Sequence, residues 1–105
     1  MVTYFILALF TLNSDDTTDM VFEIVVNGQG INLFEKYDQV VVYKPEDLGL
    51  SDDLCKEILE LEDRIDTFYF DHPIKLDDYQ QNKVDMMELS LDELKMIVKN
   101  KIENQ

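Results

Sequence analysis

Histidine and cysteine are nearly missing: His72 and Cys55 are the sole examples in 105 residues. That count excludes an intramolecular disulfide framework and a multi-thiolate zinc site. Basic residues are scarce as well. Nine lysines and arginines face 23 acids, a net charge of −14, and no Lys or Arg occurs before Lys36. Nucleic acids and anionic membranes are bound through basic patches that displace counterions, so the charge argues strongly against nonspecific binding to either, and no direct nucleic-acid or membrane partner is expected. Self-repulsion at this charge works against the compact state and favours a soluble monomer. A long hydrophobic run is missing too. Val2–Leu12 is apolar over eleven residues, whereas a membrane-spanning helix takes roughly 20. This run has no positive n-region and no A-x-A-like cleavage site, and it leads straight into "NSDD", which argues against a signal peptide. With no Gly/Ser linker, repeat or low-complexity tract, residues 1–105 are expected to form a single cytoplasmic domain, and the lone cysteine fits a reducing compartment.

What is present alternates first at strand period and then at helix period. Val2–Leu12 is apolar on both alternating sets, with Tyr4, Ile6, Ala8 and Phe10 on one side and Phe5, Leu7 and Leu9 on the other. Such a strand is covered on both faces and therefore central. Met20–Asn27 reads as a second strand with Met20, Phe22, Ile24 and Val26 inward. Asn27-Gly28 suits the positive φ values of a type I′ hairpin turn. Val40–Tyr43 is a third strand, stopped by Pro45. Between them "INLFEKYD" fits either a short helix capped by Asn32 or another strand pair.

Ser51 is expected to open a helix, with Asp52 and Asp53 at the positive end of its dipole. Leu54, Ile58, Leu61 and Ile65 recur as one stripe facing the sheet. "TFYF", Thr67–Phe70, reads as a strand halted by "DHP", "IKLDDYQQN" as loop, and "KVDMMELS" as a last strand. Ser90 and Glu93 have capping-box spacing, and Leu89 and Leu94 that of a hydrophobic staple, so the terminal helix is expected to begin at Ser90. Lys95, Lys99 and Lys101 lie towards its negative end. The expected fold is α+β: a small, mostly antiparallel sheet of three to five strands with two main helices packed on it.

Catalytic constellations are sparse. Cys55 sits on the apolar flank of a helix among acids that hold a thiol protonated, and it reads as a small buried hydrophobe. His72 adjoins Asp71 in a turn, and adjacent side chains of an extended chain point apart. There is no G-x-S-x-G elbow, and "NGQG" lacks both the lysine of a phosphate loop and the third glycine of a dinucleotide fingerprint. "DDTTD" and "LDDYQQN" offer oxygens to a hard cation but not in the order of an EF-hand loop, and they read as solvated acidic loops. The expectation is a non-enzyme with no cofactor and no metal.

The acids themselves are the remaining signal. Asp53, Glu57, Glu60 and Arg64 recur at i, i+4, i+7 and i+11 on the face opposite or flanking the apolar stripe of the first long helix, with Glu60–Arg64 in favourable i,i+4 order and Asp53–Glu57 a like-charge pair. Glu46 to Asp78 holds 12 acids and three bases, so −9 of the −14 comes from under a third of the chain. A net charge of about 2–8 in magnitude is ample for solubility. A solvated face is the simpler account of such a run, and an anionic surface complementary to a basic partner is the functional one. In composition alone the chain resembles two groups of small acidic proteins: immunity or antitoxin proteins that plug a basic nuclease-type toxin, and phage or plasmid inhibitors that mimic DNA phosphates. The localised acidity beside a conventional core favours the first. A non-inhibitory adaptor or subunit is the competing class. Asp53, Glu57, Glu60, Asp63, Asp71, Asp77 and Asp78 are the expected partner-binding carboxylates, with Tyr69, Phe70 and Tyr79 as aromatic anchors among them.

Overall fold

A strand apolar on both faces has to be covered on both, and the middle of Tyr4–Leu12 is. The computed structural model describes residues 2–27, 29–30, 32–72 and 74–105. In it the chain runs β1 (Tyr4–Leu12), β2 (Thr18–Val26), α1 (Leu33–Lys36), β3 (Gln39–Tyr43), a 3-10 turn at Pro45–Leu48, α2 (Asp52–Asp71) and α3 (Asp78–Glu103). The sheet has three antiparallel strands in the order β2-β1-β3, and β1 is central. Ile6, Leu7, Ala8 and Leu9 are all buried, as a strand covered on both sides requires.

The two faces are covered differently. Ile6 and Ala8, with Met20, Phe22, Ile24, Val41 and Tyr43 beside them, meet Cys55, Ile58 and Ile65 of α2 and Leu91, Val98 and Ile102 of α3. This is the larger core. Leu7, Leu9 and Val25 on the opposite face pack on Leu33 of the short α1, closed in by Phe5, Tyr37 and Val40. The chain enters α1 through Gly30, whose φ is +79° and where a Cβ would stand 2.9 Å from Val25 Cγ1. A side chain is therefore excluded twice over, by backbone conformation and by space. At the far end of the sheet the Asp38 carboxylate accepts from Leu12 N at 2.6 Å, and Asp38 N donates to the Phe10 carbonyl at 3.0 Å.

Several expectations need correction. The hairpin does not turn at Asn27, where φ is +42°, because β3 pairs with β1 and not with β2. The hairpin is β1–β2, closed over Asn13–Thr17, where Asp16 takes φ +67° and Asn13 N bonds Thr17 O at 2.8 Å. "INLFEKYD" forms a short helix, and Asn32 makes no side-chain cap. Gly28, Ile31 and Pro73, which entered the expected turn, short helix and strand stop, lie outside the described residues.

The largest error concerns the second half. Thr67–Phe70 is not a strand: α2 continues through it to Asp71. Its aromatic composition favours a strand only weakly, and β propensity yields to packing. Phe68 continues the stripe three residues after Ile65. "KVDMMELS" is not a strand, and Ser90 does not start a helix. Both lie inside α3, which Asp77 caps from further upstream. The Asp77 carboxylate accepts from Gln80 N at 2.8 Å, and Gln80 Oε1 accepts from Asp77 N at 3.2 Å. That reciprocal pair satisfies two of the free donors at the helix start. Most of the expected "IKLDDYQQN" loop is therefore the first turn of α3 and its cap. Among the described residues no helix is long and apolar enough to cross a membrane.

Candidate functional site

The candidate surface starts from one hydroxyl. Ser51 Oγ accepts from Leu54 N at 3.3 Å, which fixes where α2 begins and hence which residues face outward. Ile58 and Ile65 are buried and Leu54 and Leu61 partly so, as their stripe predicts. Cys55 joins them at 0% exposure. Burial, and then the charge of Asp52, push its thiol up to about 11, so it offers no thiolate nucleophile near neutral pH.

With that stripe turned inward, Asp53, Glu57 and Glu60 face solvent on the flank beside it. Together with Lys56, Leu61 and Arg64 they border an open depression of about 340 Å³. Asp71, 18 residues after Asp53, falls on the same side of an ideal helix, so the acidic row runs roughly 27 Å along α2 at 1.5 Å per residue. Asp63 is exposed on the flank that also carries Lys56, two turns away.

Few of these carboxylates are neutralised. The expected Glu60–Arg64 pair does not form. Glu60 lies instead 4.0 Å from Lys56, with both side chains more than half exposed. Exposed pairs of this kind contribute about 0–1 kcal/mol. Glu62, off the outer row, reaches Lys95 of α3 at 3.7 Å, and the third ion pair, Lys99–Glu103, lies within α3. Among the described residues, Asp53, Glu57, Asp63, Asp71, Asp77 and Asp78 have no ion pair.

The remaining expected contacts divide by position. Tyr69 is 43% exposed, and its hydroxyl lies 3.4 Å from Glu88 Oε1 of α3. Loss of solvent, followed by the charge of Glu88, raises its pKa. It serves the contact between the helices more than it serves an anchor. Asp77 is occupied as the cap of α3. Asp78 and Tyr79 open α3, and Tyr79 is 77% exposed. Asp71 ends α2 and, with Arg64, Thr67, Phe68, Lys83 and Met87, borders a second groove of about 260 Å³. The expected contacts thus form an α2 row and a group at the α2–α3 connection, bridged by Asp71.

Sequence reasoning missed Ile74. It is 83% exposed between the helices, near Phe70 in sequence, itself 84% exposed. The only available signal was an isolated apolar residue in a polar segment. His72 caps α2: its Nδ1 lies 2.8 Å from the Phe68 carbonyl, and its ring stacks on Phe68 with centroids 4.4 Å apart. A carbonyl only accepts, so Nδ1 carries the proton and the ring is held in a structural role. In "DDTTD", Asp15 accepts from Thr17 N and Oγ1 and Asp19 from Asn13 Nδ2. Those bonds hold Asp15 below the usual carboxylate pKa. Among the described residues no three His, Cys, Asp or Glu side chains cluster as ligands for a metal ion.

Compared with known proteins, the chain matches no family model, no curated protein and no solved structure.

Proposed function

We propose that this protein is a protein-binding inhibitor of the immunity or antitoxin type, acting in the cytoplasm without catalysis. Its outer α2 row engages a cationic, nuclease-like partner. The observation that carries this reading is the unpaired row on α2: Asp53 and Glu57 have no cation within ion-pair distance among the described residues, and Glu60 has only an exposed lysine at 4.0 Å. A cleft lined with Lys and Arg to hold phosphate offers the same potential to fixed carboxylates. The row supplies steering and register, because exposed rim charges act mainly on encounter rate. Lifetime requires apolar anchors, and Phe70 and Tyr79 at the α2–α3 connection are exposed enough to serve.

The test is charge reversal. Glu57→Lys combined with Glu60→Lys leaves the fold intact, since both side chains are exposed, and abolishes capture of the basic partner at low ionic strength. Wild-type binding falls steeply as salt rises. An adaptor held by an apolar surface keeps its partner through both treatments, and that result rejects the proposal.

A further inference from the structure

β2 has a free side. It is an edge strand of nine residues, paired with β1 without a bulge, and contains no proline, lysine or arginine. No backbone–backbone hydrogen bond other than those to β1 reaches Thr18–Val25 among the described residues. Proteins normally blunt or cover such an edge, because its unpaired N–H and C=O groups template another strand. Beside it lies a groove of about 460 Å³ bordered by Met20, Val21 and Phe22 of β2 and by Asp92, Lys95, Met96 and Lys99 of α3. Val21 is 52% and Met96 59% exposed.

We infer that a second copy of this chain covers this edge, joining β2 to β2 antiparallel about a two-fold axis and making one six-stranded sheet. Charge selects the copy and the register. An axis perpendicular to the sheet keeps each face on its own side, so opposed residues must share a face. Placing it through Phe22 pairs all nine residues of β2: Thr18 with Val26, Met20 with Ile24, and Val21 with Glu23 of the second copy. Sliding one step either way sets Asp19 against Glu23, or Glu23 against itself, and like charges directly opposed are destabilising. Phe22 and Met96 border the same groove, so the axis also passes near Met96. Asp92 precedes Met96 by four residues and Lys99 follows it by three. A two-fold therefore brings Asp92 of each copy to Lys99 of the other, the self-complementarity an isologous interface requires. Among the described residues Lys99 is held in the monomer only by an exposed pair with Glu103 at 3.9 Å, which is weak enough to exchange. The −14 charge does not forbid this contact. Residues 18–26 carry two acids, and residues 92–103 carry three acids and three lysines, so the joined surfaces have a net charge of −2 per copy.

Sedimentation velocity over a wide concentration range tests it. The wild type is expected to run as a dimer that dissociates on dilution. Val21 points away from the helices, so its substitutions spare the core. Val21→Lys faces Glu23 of the second copy and tightens the dimer, whereas Val21→Glu loosens it, each by roughly 2- to 30-fold from two symmetric cross-strand pairs. Asp92→Lys and Lys99→Asp each weaken the dimer, and the double swap restores it. A monomer at every concentration overturns the inference. So does a dimer whose dissociation constant is the same in V21K and V21E, because the strands then meet elsewhere.

Discussion

The two long helices divide polar and apolar surface in opposite ways. In its 20 residues α2 holds eight acids and two bases, a net of −6, and its exposed large apolar side chains, Tyr69 and Phe70, come only at its end. In its 26 residues α3 holds six acids and four lysines, a net of −2, yet Tyr79, Met86, Leu89, Met96 and Ile97 are all exposed along it. If the acids served only to keep apolar surface wet, they would gather on α3. They gather on α2, where there is less to mask. That distribution supports the proposed contact on α2.

That contrast can be broken in steps. The largest effect comes from Ser90→Pro. It removes a backbone donor inside α3 and costs about 3 kcal/mol or more in denaturant unfolding, whereas proline would be tolerated there if Ser90 stood at a helix start. Ile58→Ala removes a fully buried side chain from the core stripe of α2 and costs about 3 kcal/mol, with a cavity contribution. Raising pH acts on the buried thiol of α2. The Cys55 thiol is pushed from 9.0 to about 11 in the folded state, so the unfolded chain loses its proton first. Stability contributed by the neutral thiol is full below pH 9 and falls as pH rises, by about 2 kcal/mol at pH 11. Cys55→Ala removes that contribution. Ser51→Ala and Asp77→Ala remove the caps of α2 and α3 and cost about 1 kcal/mol each. The smallest change belongs to Glu57→Lys with Glu60→Lys, within about 0.5 kcal/mol of wild type. Solvated surface charges can be reversed at little cost to folding.

How much of this was legible from residues alone follows the same division. The central strand, the inward set of β2, β3 and the Ser51 cap with its stripe were all readable, because each is a local pattern that tertiary packing reinforces. The end of α2 and the start of α3 were not. Thr67–Phe70 carries aromatic residues whose strand preference is real but weak, and contact with α3 overrode it. Ser90–Glu93 has capping spacing but lies within a longer repeat: Val84, Leu91, Val98 and Ile102 keep one buried side through it. The Asp77-x-x-Gln80 box, equally present in the sequence, is the one used. Two cap signatures competed, and the apolar repeat extending upstream of Ser90 decided between them. The candidate carboxylates on α2 stood where their spacing put them. Tyr69 and Asp77 did not, because Glu88 and Gln80 engage them.

The most direct measurement is parallel capture at low salt on immobilised wild type and on the Glu57→Lys, Glu60→Lys variant. The account predicts that a cationic protein is retained by the wild type, released by moderate salt, and missing from the variant. The same proteins retained on both, at every salt concentration, would mean that the acids of α2 keep the molecule in solution and do nothing more.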